Sequence, residues 1–197
     1  MPVVVAIPIK PFDAAKSRLA AVLPDAVRRQ VGIELARRTV EAVIRAGTTP
    51  LVLAADEEVA AWADGMGAGV LVDPGSELNA AAAGAARTAG RWIICHADLP
   101  LLLESDIAAA ADHVGRGRTV IAPSSDGGTT LLGGGGNDFS FAYGPASFHR
   151  HLRRLEDPIV LTTVGFALDL DGPDDLDAAI RHPRGRWLAE LLASGAK

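Results

Sequence analysis

Short apolar blocks recur along this chain and alternate with longer stretches in which apolar residues return every three or four positions. Residues 3–9 (VVVAIPI), 50–55 (PLVLAA), 69–73 (GVLVD), 91–97 (RWIICHA) and 118–124 (RTVIAPS) are near-continuous apolar runs with β-branched members. That is the pattern of strands covered on both faces. Between them, residues 25–46, 57–64, 77–90 and 104–115 predict helices. Asp25 and Asp56 stand where N-caps belong, and Gly47 where the first helix should stop. Residues 77–90 (ELNAAAAGAARTAG) carry the small side chains that let a helix lie close on a sheet. The alternation predicts a three-layer α/β fold around a mostly parallel mixed sheet, read as a single domain because no repeat or linker interrupts it.

After Ser124 the rhythm changes. Residues 124–144 (SSDGGTTLLGGGGNDFSFAYG) are glycine-rich and predict two short strands, 129–132 and 139–143, in a hairpin-like insertion with 133–136 as its flexible tip. Residues 145–155 predict a helix, with Ser147 near its start as an N-cap or an anion-binding hydroxyl. Residues 159–170 predict one or two strands, and 172–182 a helix capped near Pro173 and Asp174.

Composition narrows the classes. The chain has 197 residues, 49% of them hydrophobic, and a formal net charge of −5, which argues against a basic nucleic-acid-binding face. No apolar run approaches the ~18 residues of a membrane span. The N-terminus lacks the basic and small-residue signals of a secretory leader. The one cysteine, Cys95, lies inside an apolar run, so no internal disulfide framework exists and a cytoplasmic location is expected. Lysine occurs only at positions 10, 16 and 197, which makes the pair Lys10 and Lys16, followed by Arg18, conspicuous.

In a parallel α/β sheet, ligands sit beyond the carboxyl ends of the strands. Three stretches put polar groups there: Lys10 to Arg18, Asp98 at the end of RWIICHAD, and Asp169 with Asp171 in ALDLDGPDD. A carboxylate closing an apolar strand is costly unless paired, hydrogen-bonded or holding a metal. Taken singly, Asp98 also suits a turn before Leu99-Pro100, and Asp171 a turn before Gly-Pro. Asp169 alternates within an apolar stretch and fits the surface less easily. Two carboxylates from separate strand ends suit Mg²⁺, which takes few protein ligands and completes its shell with water and phosphates. The basic loop suits a triphosphate, with a solvated surface loop as the plainer alternative. Neither a Walker A motif nor a GxGxxG fingerprint is present. No nucleophile–base set is evident. Cys95 and the tryptophans read as core, and the basic cluster from His149 to Arg154 as a mostly solvated face.

Six stretches in order, IPIKPFDAAKSRLA, DPGSELNAAAAGA, ICHADLPLL, DGGTTLL, FAYGPASFHRH and LDLDGPDDL, resemble the guanylyltransferases of deazaflavin (coenzyme F-420) biosynthesis, which act on phosphoenolpyruvate or 2-phospho-L-lactate. The resemblance spans essentially the whole chain. It implies a Rossmann-like nucleotidyltransferase that moves GMP from GTP to a phosphorylated three-carbon acid and releases pyrophosphate. Asp98 and Asp169 would hold Mg²⁺ between them, with Asp171 as the near alternative to Asp169. Lys16 and Arg18 would grip the GTP phosphates with Lys10 nearby, and Gly75 and Asn79 would lie by the nucleoside. Thr129 or Thr130, with Gly144 and Ser147, would form the acceptor pocket, and one member of the 149–154 cluster could meet the acceptor's carboxylate. The alanine- and arginine-rich composition points to GC-rich coding, which within this resemblance favours phosphoenolpyruvate; 2-phospho-L-lactate is the alternative acceptor. The product would be unstable and handed to the next pathway enzyme. Further alternatives are another nucleotidyltransferase or a non-catalytic nucleotide-binding module.

Overall fold

The computed structural model describes residues 2–14, 16–72 and 77–195. Seven strands form one sheet: β1 (Val4–Ile9), β2 (Thr49–Ala54), β3 (Gly69–Val72), β4 (Arg91–Cys95), β5 (Val120–Pro123), β6 (Thr129–Gly135) and β7 (Ile159–Val160). Their order is β3-β2-β1-β4-β6-β5-β7, with β6 antiparallel to both neighbours and the remaining pairs parallel. The chain adds β2 and β3 on one side of β1 and then crosses to place β4 on the other. That reversal leaves a crevice beyond the ends of β1 and β4, where open α/β sheets bind ligands.

Apolar alternation divides the core. Val5, Ile7, Ile93, Cys95 and Leu131 face a layer that includes α1 (Asp25–Arg45), α2 (Glu57–Gly65) and α4 (Glu104–Gly115). Ala6, Trp92, Ile94 and Leu132 face α3 (Leu78–Thr88) and the aromatic segment around Phe141 and Tyr143. A third cluster joins Leu19, Leu35, Leu170, Leu176 and Leu188, tying α1 to α7 (Pro173–Arg181) and α8 (Arg186–Gly195). The two short helices between are α5 (Ser147–Leu152) and α6 (Val164–Ala167). No helix among the described residues is long and apolar enough to cross a membrane.

Several local expectations change. Asp56 caps α2 through the Val59 amide, as expected, but the N-cap of α1 is Pro24, and Asp25 pairs with Arg28 instead. The hairpin expected between 129–132 and 139–143 does not form, because residues 139–143 are not a strand. Residues 133–135 are not a flexible tip but the second half of β6, which lies between β4 and β5. A Cβ on Gly133 would come 2.8 Å from Ile93 and 3.0 Å from both Val114 and Val120, so glycine is required for α4 to pack this closely on the sheet. Residues 159–170 form only the two-residue β7 and then α6, so Asp169 lies on an irregular segment. The helix α8 was not anticipated; it packs Leu188 into the third cluster.

Candidate active site

The loop after β1 is pinned at both ends. Phe12 is buried edge-on against Trp62, and Leu19 is buried in the third cluster. Between these anchors Lys16 takes a left-handed backbone, φ 55° and ψ 39°, which is uncommon for a residue with a Cβ. Its side chain is only 10% exposed. The ammonium lies 3.1 Å from Asp98 Oδ2 and 3.9 Å from Asp171 Oδ1. Arg18, largely exposed, reaches Asp171 Oδ2 at 3.4 Å.

The carboxylates converge through a backbone contact. The His96 amide donates to the Thr130 carbonyl and extends the β4–β6 ladder one residue past β4. Two residues on, the Asp98 carbonyl accepts from the amide of Leu170 at 2.9 Å. Leu170 is fully buried, and it holds Asp169 and Asp171 on either side of itself at the end of β4. Asp171 also lies just before α7, whose Asp175 carboxylate accepts from the amides of Asp171 and of the N-cap Gly172.

Burial would push the Asp98 carboxyl up, but the Lys16 ammonium, and then His96, outweigh it and hold Asp98 below the ordinary carboxylate range. Asp169 goes the other way. Burial, with repulsion from Asp98, Asp126 and Asp171, raises it to about 7. His96 is held below the usual imidazole range by burial despite the nearby Asp98 charge. Asp98 Oδ1 is buried and accepts no hydrogen bond. An ionised oxygen left with free lone pairs in a buried site fits a hard cation, and carboxylate oxygens are what Mg²⁺ prefers. Among the described residues no group of three or more His, Cys, Asp or Glu side chains is placed to hold a metal ion, so the carboxylates offer at most a two-ligand site, and Mg²⁺ takes one or two carboxylates and completes its shell with water and phosphates.

Beside this charged centre lies a neutral one. The Ala142 amide donates to His151 Nε2 at 2.8 Å, so the neutral ring carries its proton on Nδ1. Nδ1 lies 2.9 Å from Thr129 Oγ1 and donates to it, leaving the threonine hydroxyl proton to point elsewhere. Burial and then the charges of Arg154 and Arg150 lower His151 to about 4. Thr130 differs: its hydroxyl donates to the Phe166 carbonyl at 2.8 Å, inside the fold. Tyr143 joins the two centres, its ring 5.4 Å from His96 and 4.8 Å from His151. The Asn79 side chain clamps Tyr143 from α3, accepting from its amide at 2.6 Å and donating to its carbonyl at 3.5 Å.

Some sequence expectations shift accordingly. Ser147 is buried and is the first residue of α5; the N-cap is Ala146, which makes no side-chain cap bond. His151 is not on a solvated face but fully buried. Gly144 is exposed with φ 114°, a conformation that favours glycine. Lys10 is exposed beyond β1, and Gly75 lies outside the described residues. Asp126, not singled out beforehand, also stands near Asp169. Hydrogen bonds from Ser124 and the Gly128 amide hold it low, burial notwithstanding. The burial of His151 had one signal in the sequence: it stands four residues after Ser147, so the two share one helical face.

Comparison with known proteins is consistent along nearly the whole chain. The family model described as guanylyl transferase, CofC like, matches residues 3–194. A phosphoenolpyruvate guanylyltransferase of Rubrobacter xylanophilus is 35% identical, over 89% of this chain and 92% of its own. A 2-phospho-L-lactate guanylyltransferase of Methanothermobacter thermautotrophicus is 30% identical, over 94% of this chain and 87% of its own. A solved structure from Desulfovibrio desulfuricans, described provisionally as a nucleotide-diphospho-sugar transferase, superposes with a TM-score of 0.76 at 16% identity, covering 97% of this chain and 95% of that one.

Proposed function

The chain belongs to the CofC-like guanylyl transferase family, and from that premise we propose that it transfers GMP from GTP to phosphoenolpyruvate and releases pyrophosphate. The observation that carries this reading is the Lys16 ammonium set between Asp98 and Asp171 in the crevice beyond β1 and β4, beside the unpaired Oδ1 of Asp98.

A phosphate oxygen of the acid attacks the α-phosphorus of GTP. One P–O bond forms, the bond to the β-phosphate oxygen breaks, and pyrophosphate leaves with the electron pair. The nucleophile is already anionic, so no side chain need remove a proton, which accounts for a site without a nucleophile–base pair. The work left to the protein is positioning and charge neutralisation. Asp98 with Asp169, or with Asp171 in its place, would hold a divalent cation, Mg²⁺ in this reading, which when bound neutralises charge on phosphate oxygens. Lys16 and Arg18 turn from carboxylates to GTP phosphates, with Lys10 at the rim. Asn79, which clamps the Tyr143 backbone, would flank the nucleoside. Thr129, rather than Thr130, joins Gly144 and Ser147 around the acceptor, because only the Thr129 hydroxyl proton is free of an internal partner.

The test is Mg²⁺-dependent pyrophosphate release from GTP with phosphoenolpyruvate, with 2-phospho-L-lactate and with neither. Release with phosphoenolpyruvate that exceeds both other arms supports the reading. Preference for 2-phospho-L-lactate would reassign the acceptor, and silence with both acids would overturn the enzyme.

A further inference from the structure

Most of the basic residues on and after α5 face solvent or a carbonyl. Arg154, for instance, donates to the Ser140 carbonyl at 2.7 Å. Arg150 is different. Its Nε and Nη2 are both withdrawn from solvent, and neither makes a hydrogen bond. These two nitrogens lie on one edge of the guanidinium and form the side-on fork that grips a carboxylate with two parallel bonds. Elsewhere in the fold Arg37, Arg38, Arg118 and Arg184 each meet a carboxylate. No ion pair to Arg150 exists among the described residues. Leaving charged donors buried and unmade is costly, and native structures seldom do so without a purpose.

The fork has an address. Nη2 lies against Gly144, where an added Cβ would come within 3.1 Å of it. That proximity sets the guanidinium against the turn that leads into Ser147. That turn, 144–146, is exposed on its outer side, with left-handed backbone at Gly144 (φ 114°) and Ala146 (φ 53°). With both nitrogens withdrawn from solvent, an acid reaches the fork only if this turn moves.

We propose that Arg150 is a specificity residue that binds the carboxylate of the acceptor acid through Nε and Nη2. This rests on the acceptor reading given above. The acid carries two anionic groups. Its phosphate must be presented to GTP beside Lys16 and Asp98, which leaves the planar carboxylate for a fork on the Gly144 side. Phosphoenolpyruvate and 2-phospho-L-lactate share that carboxylate, so Arg150 separates carboxylated from uncarboxylated acceptors and not the two acids from each other.

The experiment is steady-state pyrophosphate release by the full chain and its Arg150→Gln and Arg150→Lys variants, varying acceptor and GTP separately. Arg150→Gln is expected to raise the acceptor KM roughly 10- to 100-fold, the loss of a charge-assisted pair, with the GTP KM within about twofold of the parent. Arg150→Lys keeps charge and stem but loses the fork, and is expected to raise the acceptor KM about tenfold. If Arg150→Gln fails to fold, as judged by circular dichroism and melting, Arg150→Lys carries the test alone. An unchanged acceptor KM in a folded variant, or equal rises in both KM values, overturns the proposal and leaves the enzyme reading intact. A parent protein silent with both acids overturns the enzyme reading, and this proposal with it.

Discussion

Two polar centres flank the end of β4, one strand pairing apart, and they are built on opposite principles. At Lys16, Asp98, Asp169 and Asp171 the protein gathers ionisable groups and leaves Asp98 Oδ1 without a hydrogen bond, with His96 Nδ1 3.9 Å away. At Thr129, His151 and Ala142 every contact is a neutral hydrogen bond, and the one group that could take a charge is kept from doing so. The difference matches what each must handle in the proposed reaction. Phosphate charge is met by charge that can be re-partnered when substrate arrives. Shape is held by dipoles that do not move. Removing a member of the first centre should therefore stop chemistry while sparing the fold. Disturbing the second should alter stability or acceptor affinity first.

The largest expected effect tests the charged side. Asp98→Asn keeps the volume and one acceptor but removes the charge; pyrophosphate release should fall roughly 100- to 1,000-fold with an unchanged far-ultraviolet spectrum. Turnover within a few-fold of the parent would remove Asp98 from the chemistry. Lys16→Met comes next. It keeps most of the stem that packs under the loop and should cost roughly 100-fold in kcat, since a cation is lost but Arg18 remains. If Lys16 acted only as a structural partner of Asp98, the variant would lose stability and retain kcat.

The two centres were not equally legible in the sequence. Asp98 was legible only in company: alone it suits a turn before Leu99-Pro100, and it marks a crevice once Asp169 and the Lys10–Arg18 loop are placed at neighbouring strand ends. Asp169 and Asp171 were visible as an alternation with leucines, yet their secondary structure was misjudged. The contact that places them, the Leu170 amide on the Asp98 carbonyl, joins backbone atoms and leaves no residue-type signature. The neutral centre was harder to read. His151 sits in a run of cations, HRHLRR, and cation-rich runs are usually solvated; only the four-residue spacing from Ser147 marks the buried face. Glycines 133–135 misled for a different reason. A glycine run signals freedom when it is exposed and close approach when it is buried, and which applies depends on Ile93, Val114 and Val120, all distant in sequence or on other elements.

A smaller effect separates the centres by pH. A free imidazole titrates near 6.5, whereas His151 in the fold titrates near 4. Above 6.5 the ring is neutral folded or unfolded and adds nothing to the slope. Between 6.5 and 4 the unfolded chain takes up a proton that the fold refuses, so stability falls as pH falls, by up to about 3 kcal/mol. Asp169 is raised and acts with the opposite sign in the same window, stabilising the fold as pH drops. The informative quantity is thus the difference between the parent and His151→Gln in urea unfolding at pH 7.5, 6 and 5. The parent should lose more stability on acidification than the variant. Parallel profiles would mean that His151 charges freely in the fold and that the second centre is not held neutral.

The smallest effect divides two adjacent threonines. The β5–β6 register shifts here, Ala122 facing Leu131 and Pro123 facing Thr129, so it is the partners that separate the two threonines: Thr129 meets His151 and Thr130 the Phe166 carbonyl. Thr130 donates to the Phe166 carbonyl within the fold, and Thr130→Val should cost about 1–3 kcal/mol in unfolding free energy with both KM values unchanged. Thr129 receives the His151 proton and has its own hydroxyl hydrogen to give. Thr129→Val should raise the acceptor KM about tenfold and leave the GTP KM alone, the loss of one hydrogen bond to a charged group. Thr129→Ser, which restores the hydroxyl without the methyl, should recover most of that loss. If the acceptor KM moved instead with Thr130→Val, the pocket would open beside Thr130. The neutral hydrogen-bonded centre would then be scaffold alone, and the division between a charged and a neutral half of the site would fail.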